Sequence, residues 1–164
     1  YNLYVFNQWS KNFLKETCVN GYTAPVELNV KELHKLDISD ASLIVYGYQP
    51  VMFSAGCVQK NTDNCTHKEG TLYLTDRYQK KFAVKNYCNC CYNVIYNSVP
   101  LSLHQYVEQI GSLKGKGIRL EFTTETAEEM KPVLEQYLRF REGKEMDFSF
   151  LKEYTTGHFK KGAL

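Results

Sequence analysis

Apolar and polar positions along this chain change period from block to block. Residues 3–7 (LYVFN) form a short β-rich run, and residues 11–19 carry charged and apolar side chains at helical spacing, which predicts a strand and then a helix. The pattern returns after Pro25, with a second strand at 26–29 and a helix at 30–36 whose Val30, Leu33 and Leu36 share one face. Residues 43–46 predict a third strand ending at Gly47, and Asp37, Ser39 and Asp40 supply the turn before it. Residues 101–113 read as a helix, Gly115 and Gly117 break it, and residues 118–122 predict a fourth strand. The last helix has its cap within 124–127 and Glu125, Glu128 and Glu129 around its first turn. Its apolar stripe runs through Met130, Val133, Leu134, Tyr137 and Leu138.

Alternating strand and helix units imply right-handed crossovers and a parallel sheet. The expected fold class is therefore α/β, as half of a (β/α)8-type barrel with parallel strands. A closed barrel takes about 250 residues, so a chain of 164 residues would leave strand edges unpaired. The expected partner is the N-terminal half of the same protein or a second copy. A small open α/β sheet, which needs no partner, is the competing architecture.

Residues 48–100 separate the third strand from the next helix and carry five of the six cysteines. A loop that follows a strand in such folds lies at the carboxyl end of the sheet, where active sites are built. Within this cysteine-rich insertion, residues 71–75 (TLYLT) and 81–85 (KFAVK) alternate across a polar turn and predict a β-hairpin. The hairpin would fold one cysteine pair, Cys57 with Cys65, against the other, Cys88 with Cys91.

With 43% apolar residues in 164, the chain can build a core without disulfides, so the cysteines call for another explanation. No apolar run reaches the length of a membrane-spanning helix, the first residues lack a signal-peptide pattern, and a reducing cytoplasm is the expected compartment. The net charge of +2 neither demands nor forbids a polyanion. Lys152, His158, Lys160 and Lys161 gather near the end and read as a mobile basic tail.

Thiolates select zinc or iron–sulfur clusters over magnesium and calcium, and four of them complete the ligand set of either. Cys88 to Cys91 is a C-x-x-C, whereas Cys57 and Cys65 have seven residues between them, unlike the two short pairs of a zinc ribbon. Cys18 and Cys90 are expected to be ordinary semi-buried thiols. Disulfides or unrelated buried cysteines are the competing explanation. The Asn64-Cys65-Thr66 sequon would matter only in a secreted glycoprotein.

Several runs resemble the collagenase-like peptidase family thirty-two: YGYQPVM from Tyr46, Ser54 to Cys57, Asp76-Arg77 with FAVKN from Phe82, and Cys91-Tyr92-Asn93 with Tyr96-Asn97-Ser98. Pro25 to Asn29, Arg119 with Phe122, Thr123 and Glu125, and Gly157 to Lys160 extend the resemblance over nearly the whole chain. It resembles the C-terminal half of that family's barrel domain. The resemblance implies either a collagen-degrading protease or oxygen-independent hydroxylation, of a pyrimidine in tRNA or rRNA or of a quinone precursor. For the hydroxylases it implies a 4Fe–4S cluster, whose ligands here would be Cys57, Cys65, Cys88 and Cys91.

A protease needs an activated nucleophile or a metal-bound water, yet the chain has no HExxH or G-x-S-x-G, and His34, His67, His104 and His158 are scattered. Zinc held by four cysteines, the alternative metal, would be closed and structural. An iron–sulfur cluster can pass the electrons that hydroxylation without dioxygen requires. Glu27, as acid or base at the carboxyl end of the second strand, and Arg119, as a phosphate or carboxylate binder within the fourth, are the candidate catalytic residues from the same face. Against this, a helix cap for Glu27 and an ion pair of Arg119 with Glu121 or Glu125 are the plainer roles. Among the thirteen tyrosines, Tyr46, Tyr48, Tyr87, Tyr92 and Tyr96 lie near the cysteines, and Lys80, Lys81 and Lys85 near them could match single-stranded RNA.

Overall fold

A computed structural model describes residues 3–62 and 65–162; Asn64 of the sequon lies outside the described residues. Residues 3–7 do not form the predicted strand. Tyr4 takes a left-handed conformation (φ 48°) that breaks an extended run, and Asn7 caps helix α1 (Gln8–Glu16) by accepting from Ser10 N at 2.9 Å. Strand β1 is Tyr22–Thr23 rather than 26–29. The later residues are drawn out of the sheet because Asn29 and Glu32 form a reciprocal capping box at the start of α2 (Val30–Leu36).

Strand β2 (Ala41–Gly47) is the centre of a mixed sheet. Next in the chain are β3 (Pro50–Ser54), the short helix α3 (Val58–Asn61), β4 (Gly70–Thr75), β5 (Lys81–Tyr87), β6 (Tyr92–Tyr96) and β7 (Leu101–Ser102). A turn of tighter helix at His104–Tyr106 leads to α4 (Val107–Ser112), then β8 (Gly117–Leu120) and α5 (Ala127–Arg141). In the first sheet β1 and β8 pair with β2 in parallel, with Thr23 opposite Ser42 and Arg119 opposite Ile44. Strand β7 pairs with the end of β2 antiparallel, Tyr46 to Ser102 and Gly47 to Leu101, so this sheet is not wholly parallel. The predicted helix at 101–113 therefore begins as strand, because Leu103 N donates to Val45 O at 2.9 Å and Ser102 N to Thr155 O at 2.9 Å.

The insertion is a sheet in its own right. Its order is β3-β6-β5-β4, all antiparallel, and the expected hairpin is β4 with β5, in register from Gly70 opposite Asn86 to Thr75 opposite Lys81. The fold is thus mixed α/β, with a parallel-containing sheet and a separate antiparallel sheet.

Leu33 and Leu36 of α2 and Val133 and Tyr137 of α5 share one buried cluster with Leu43, Ile44 and Val45 of β2. The Tyr137 hydroxyl donates to Val45 O at 3.2 Å. Thr126 and Glu129 close a capping box on α5, within the range where the cap was expected. Residues near the end are docked rather than forming a loose tail: Thr155 bridges to Leu101, Val30 N donates to Phe159 O at 3.0 Å, and the Phe159 side chain is buried. Among the described residues no helix is long and apolar enough to cross a membrane.

Candidate metal centre

Strands β5 and β6 end at the pair Tyr87 and Tyr92, and the four residues between them make a tight loop. Cys90 N donates to Tyr87 O at 3.2 Å, Cys91 N to Cys88 O at 3.4 Å, and Cys91 closes the turn with φ 50°. The turn brings Cys91 back over Cys88, with Cys91 Sγ 3.6 Å from Cys88 O. Cys57 stands at the N-cap of α3, and its thiol makes no capping bond. That helix is tied to the sheet by Val58 N donating to Asn93 Oδ1 at 3.2 Å, which sets Cys57 beside the strand ends.

Cys57, Cys65, Cys88 and Cys91 all line one small cavity, together with His67, Asn86, Tyr87 and Tyr92. Cys57 is buried, Cys65 and Cys88 are half-buried and Cys91 is exposed. Loss of hydration, and then the neighbouring Cys65, Cys57, Glu69 and Cys91, push the Cys88 thiol above its ordinary range. A thiophilic cation would displace such protons and remove the mutual repulsion of the thiolates.

The donor set fits zinc or an iron–sulfur cluster in kind. Among the described residues, however, no group of three or more His, Cys, Asp or Glu side chains is arranged to hold a metal ion. A second feature points into the cavity. Asn86 is 1% exposed, lines the cavity, and finds no partner for its Nδ2 or Oδ1 among the described residues. Leaving such an amide unpaired costs on the order of 1–3 kcal/mol.

Cys18 and Cys90 are both exposed, not semi-buried, and neither lines the cavity. Glu27 and Arg119 also stand outside its lining. Glu27 lies in the turn after β1 but does not cap α2, a role that Asn29 fills; its Oε2 is buried without a partner among the described residues. Arg119 donates to Thr23 Oγ1 at 3.2 Å and pairs with Glu121 at 3.3 Å. Glu125 instead accepts from Thr123 N and Thr124 N.

Of the tyrosines near the cysteines, Tyr46 and Tyr96 are buried in the two cores, which removes their faces from solvent. Lys80 is paired with Glu153 at 2.7 Å, whereas Lys85 lies over the Tyr87 ring at 5.7 Å and Arg77 over Tyr78 at 4.7 Å. His104 meets Ser102 Oγ at 2.9 Å and packs on Phe148 and Tyr154. Ser102 is 1% exposed, so this pair does not present a nucleophile to substrate.

His67 and Asn86 are cavity residues that sequence reasoning did not single out. For Asn86 a signal existed: it follows Val84 by two positions on β5 and so sits at an inward-facing register in an otherwise apolar row. No family model, curated protein or solved structure matches this chain in comparison with known proteins.

Proposed function

We propose that this chain is the cluster-binding part of an enzyme of the collagenase-like peptidase family thirty-two that hydroxylates a pyrimidine in tRNA or rRNA without dioxygen. The observation that carries the reading is the selection made by the cavity: Cys57, Cys65, Cys88 and Cys91 line it, while Cys18 and Cys90 do not. When bound, a 4Fe–4S cluster would supply the electron transfer that such a hydroxylation requires. In this reading the four thiols hold the cluster, and the half-buried Glu27 beyond β1 serves as acid or base through its carboxylate. Arg119, half-exposed on β8, draws a phosphate towards the sheet. Arg77 with Tyr78, and Lys85 over Tyr87, with Lys81 at the start of the same strand, offer charge and aromatic faces to single-stranded RNA.

The first sheet, with β2 between parallel β1 and β8, supports the half-barrel interpretation. The remaining strands would come from the N-terminal half of the same protein or from a second copy, in a cytoplasmic setting. The competing function is a protease acting on collagen-like or other peptides, with the cysteines on a structural zinc. The buried Ser102 beside His104 argues against a serine nucleophile at that pair.

Iron, sulfide and zinc content of the anaerobically purified chain, with visible spectra before and after dithionite, tests the reading. About four iron and four sulfide per chain, with absorption bleached on reduction, is the expected result. Serine at position 57, 65, 88 or 91 should abolish it, and Cys18→Ser or Cys90→Ser should not. A colourless protein with one tightly held zinc would overturn the hydroxylase reading. RNA retention that does not weaken as salt rises would overturn the RNA assignment.

A further inference from the structure

We propose that Asn86 donates a side-chain N–H hydrogen bond to a sulfur of the group held by the four cysteines, and that this bond raises its reduction potential. The inference rests on the cluster reading above. Asn86 on β5 stands opposite Asn93 on β6, and the two side chains are 1% and 0% exposed. They form a polar pair on a sheet face that the neighbouring register pair, Val84 and Ile95, continues with apolar side chains. Asn93 has a task that accounts for its carbonyl, since Oδ1 accepts from Val58 N and anchors the helix that follows Cys57. Asn86 has none. Both its amide atoms are unpaired among the described residues, yet it lines the thiol cavity two positions before Cys88.

A buried amide is retained at such a position when something in the cavity accepts from it. The acceptors that belong in this cavity are thiolate or sulfide sulfurs, and hydrogen bonds to those sulfurs are one of the levers that set a cluster's potential. Reduction adds an electron whose charge spreads over the sulfurs. An N–H donor therefore stabilises the reduced form more than the oxidised one, and removing it makes reduction harder. A residue serving only as packing would leave the potential where it is.

The test compares the wild-type chain with Asn86→Leu, Asn86→Val and Asn86→Gln, each purified anaerobically. Iron and sulfide are counted, and the midpoint potential is read from visible absorption in a mediated dithionite titration. Wild-type iron content with a more negative midpoint in the two apolar variants, and a midpoint nearer wild type in Asn86→Gln, is the expected result. An unchanged midpoint at full iron content overturns the inference and leaves the cluster reading intact. Loss of iron from both apolar variants assigns Asn86 to the framework of the cavity and likewise overturns the donor role. A wild-type chain without iron removes both the inference and the reading beneath it.

Discussion

The rings of Tyr87 and Tyr92 stack with centroids 4.8 Å apart and planes 5° from parallel, at the register pair that closes the loop from Cys88 to Cys91. The stack clamps the strand ends, and so the two loop thiols are held by a ring pair rather than by their own backbone alone. Such a pair contributes about 0.5–1.5 kcal/mol beyond the area it buries. Tyr87→Ala and Tyr92→Ala should each destabilise the chain, with a coupling energy of about that size in a double-mutant cycle followed by urea unfolding. Additive effects would show that the stack contributes nothing of its own.

Gly47 ends β2 with φ 146°, and a side chain there would place Cβ 2.2 Å from Glu121 O. Neither the conformation nor the space admits alanine. Gly47→Ala should therefore cost about 3 kcal/mol or more and lower Tm sharply. Gly70, where an added Cβ meets nothing within 4 Å, is the control: Gly70→Ala should change stability by less than about 1 kcal/mol.

Burial holds the His104 imidazole below its ordinary value of 6.5. In the unfolded chain it takes up a proton first as pH falls, so the unfolded state binds more protons and gains relative to the fold. The stability of the wild type should thus be full above about pH 6.5 and decline below it. His104→Gln should flatten that decline when unfolding free energy is measured between about pH 5 and 7.5, a window centred on the ordinary histidine range. An unchanged slope in the variant would place the pH dependence elsewhere.

Lys11 is 3% exposed, and its ammonium meets Asp40 Oδ1 at 3.1 Å and Asp37 Oδ2 at 3.5 Å, with a further bond to the Asp37 carbonyl. The contacts pin α1 to the turn before β2, alongside Gln8 Nε2 donating to Leu36 O at 2.8 Å. Lys11→Ala removes the cation and its buried stem together and should cost about 2 kcal/mol in chemical denaturation. Lys11→Met keeps most of the stem and should cost less. Equal losses would assign the whole effect to charge.

Elements with strong local instructions were legible from the sequence. Helix α2 has the predicted bounds because the Asn29 and Glu32 box and the Val30, Leu33 and Leu36 face are both written within a few residues. The β4 and β5 hairpin was legible for the same reason, since alternation on either side of a polar turn fixes both strands and register. The misreadings fall where the partner lies far along the chain. Leu101 and Ser102 are strand only because Gly47 and Tyr46 stand opposite them, and Thr155, far along the chain, bridges to Leu101 and accepts from Ser102 N.

The same division holds for the cavity. By itself the sequence determined which side chains had the chemistry, because a thiol binds soft metals wherever it sits, and the loop from Cys88 to Cys91 is short enough to bring two of them together. Only the tertiary structure decided that Cys57 and Cys65 join them while Cys90 and Cys18 stay outside, since that depends on the Asn93 anchor of α3 and on the turn at Cys91. It also decided that Asn86, whose amide finds no partner among the described residues, lines the same cavity as the thiols. Burial is a property of what packs around a residue, and no local pattern records it.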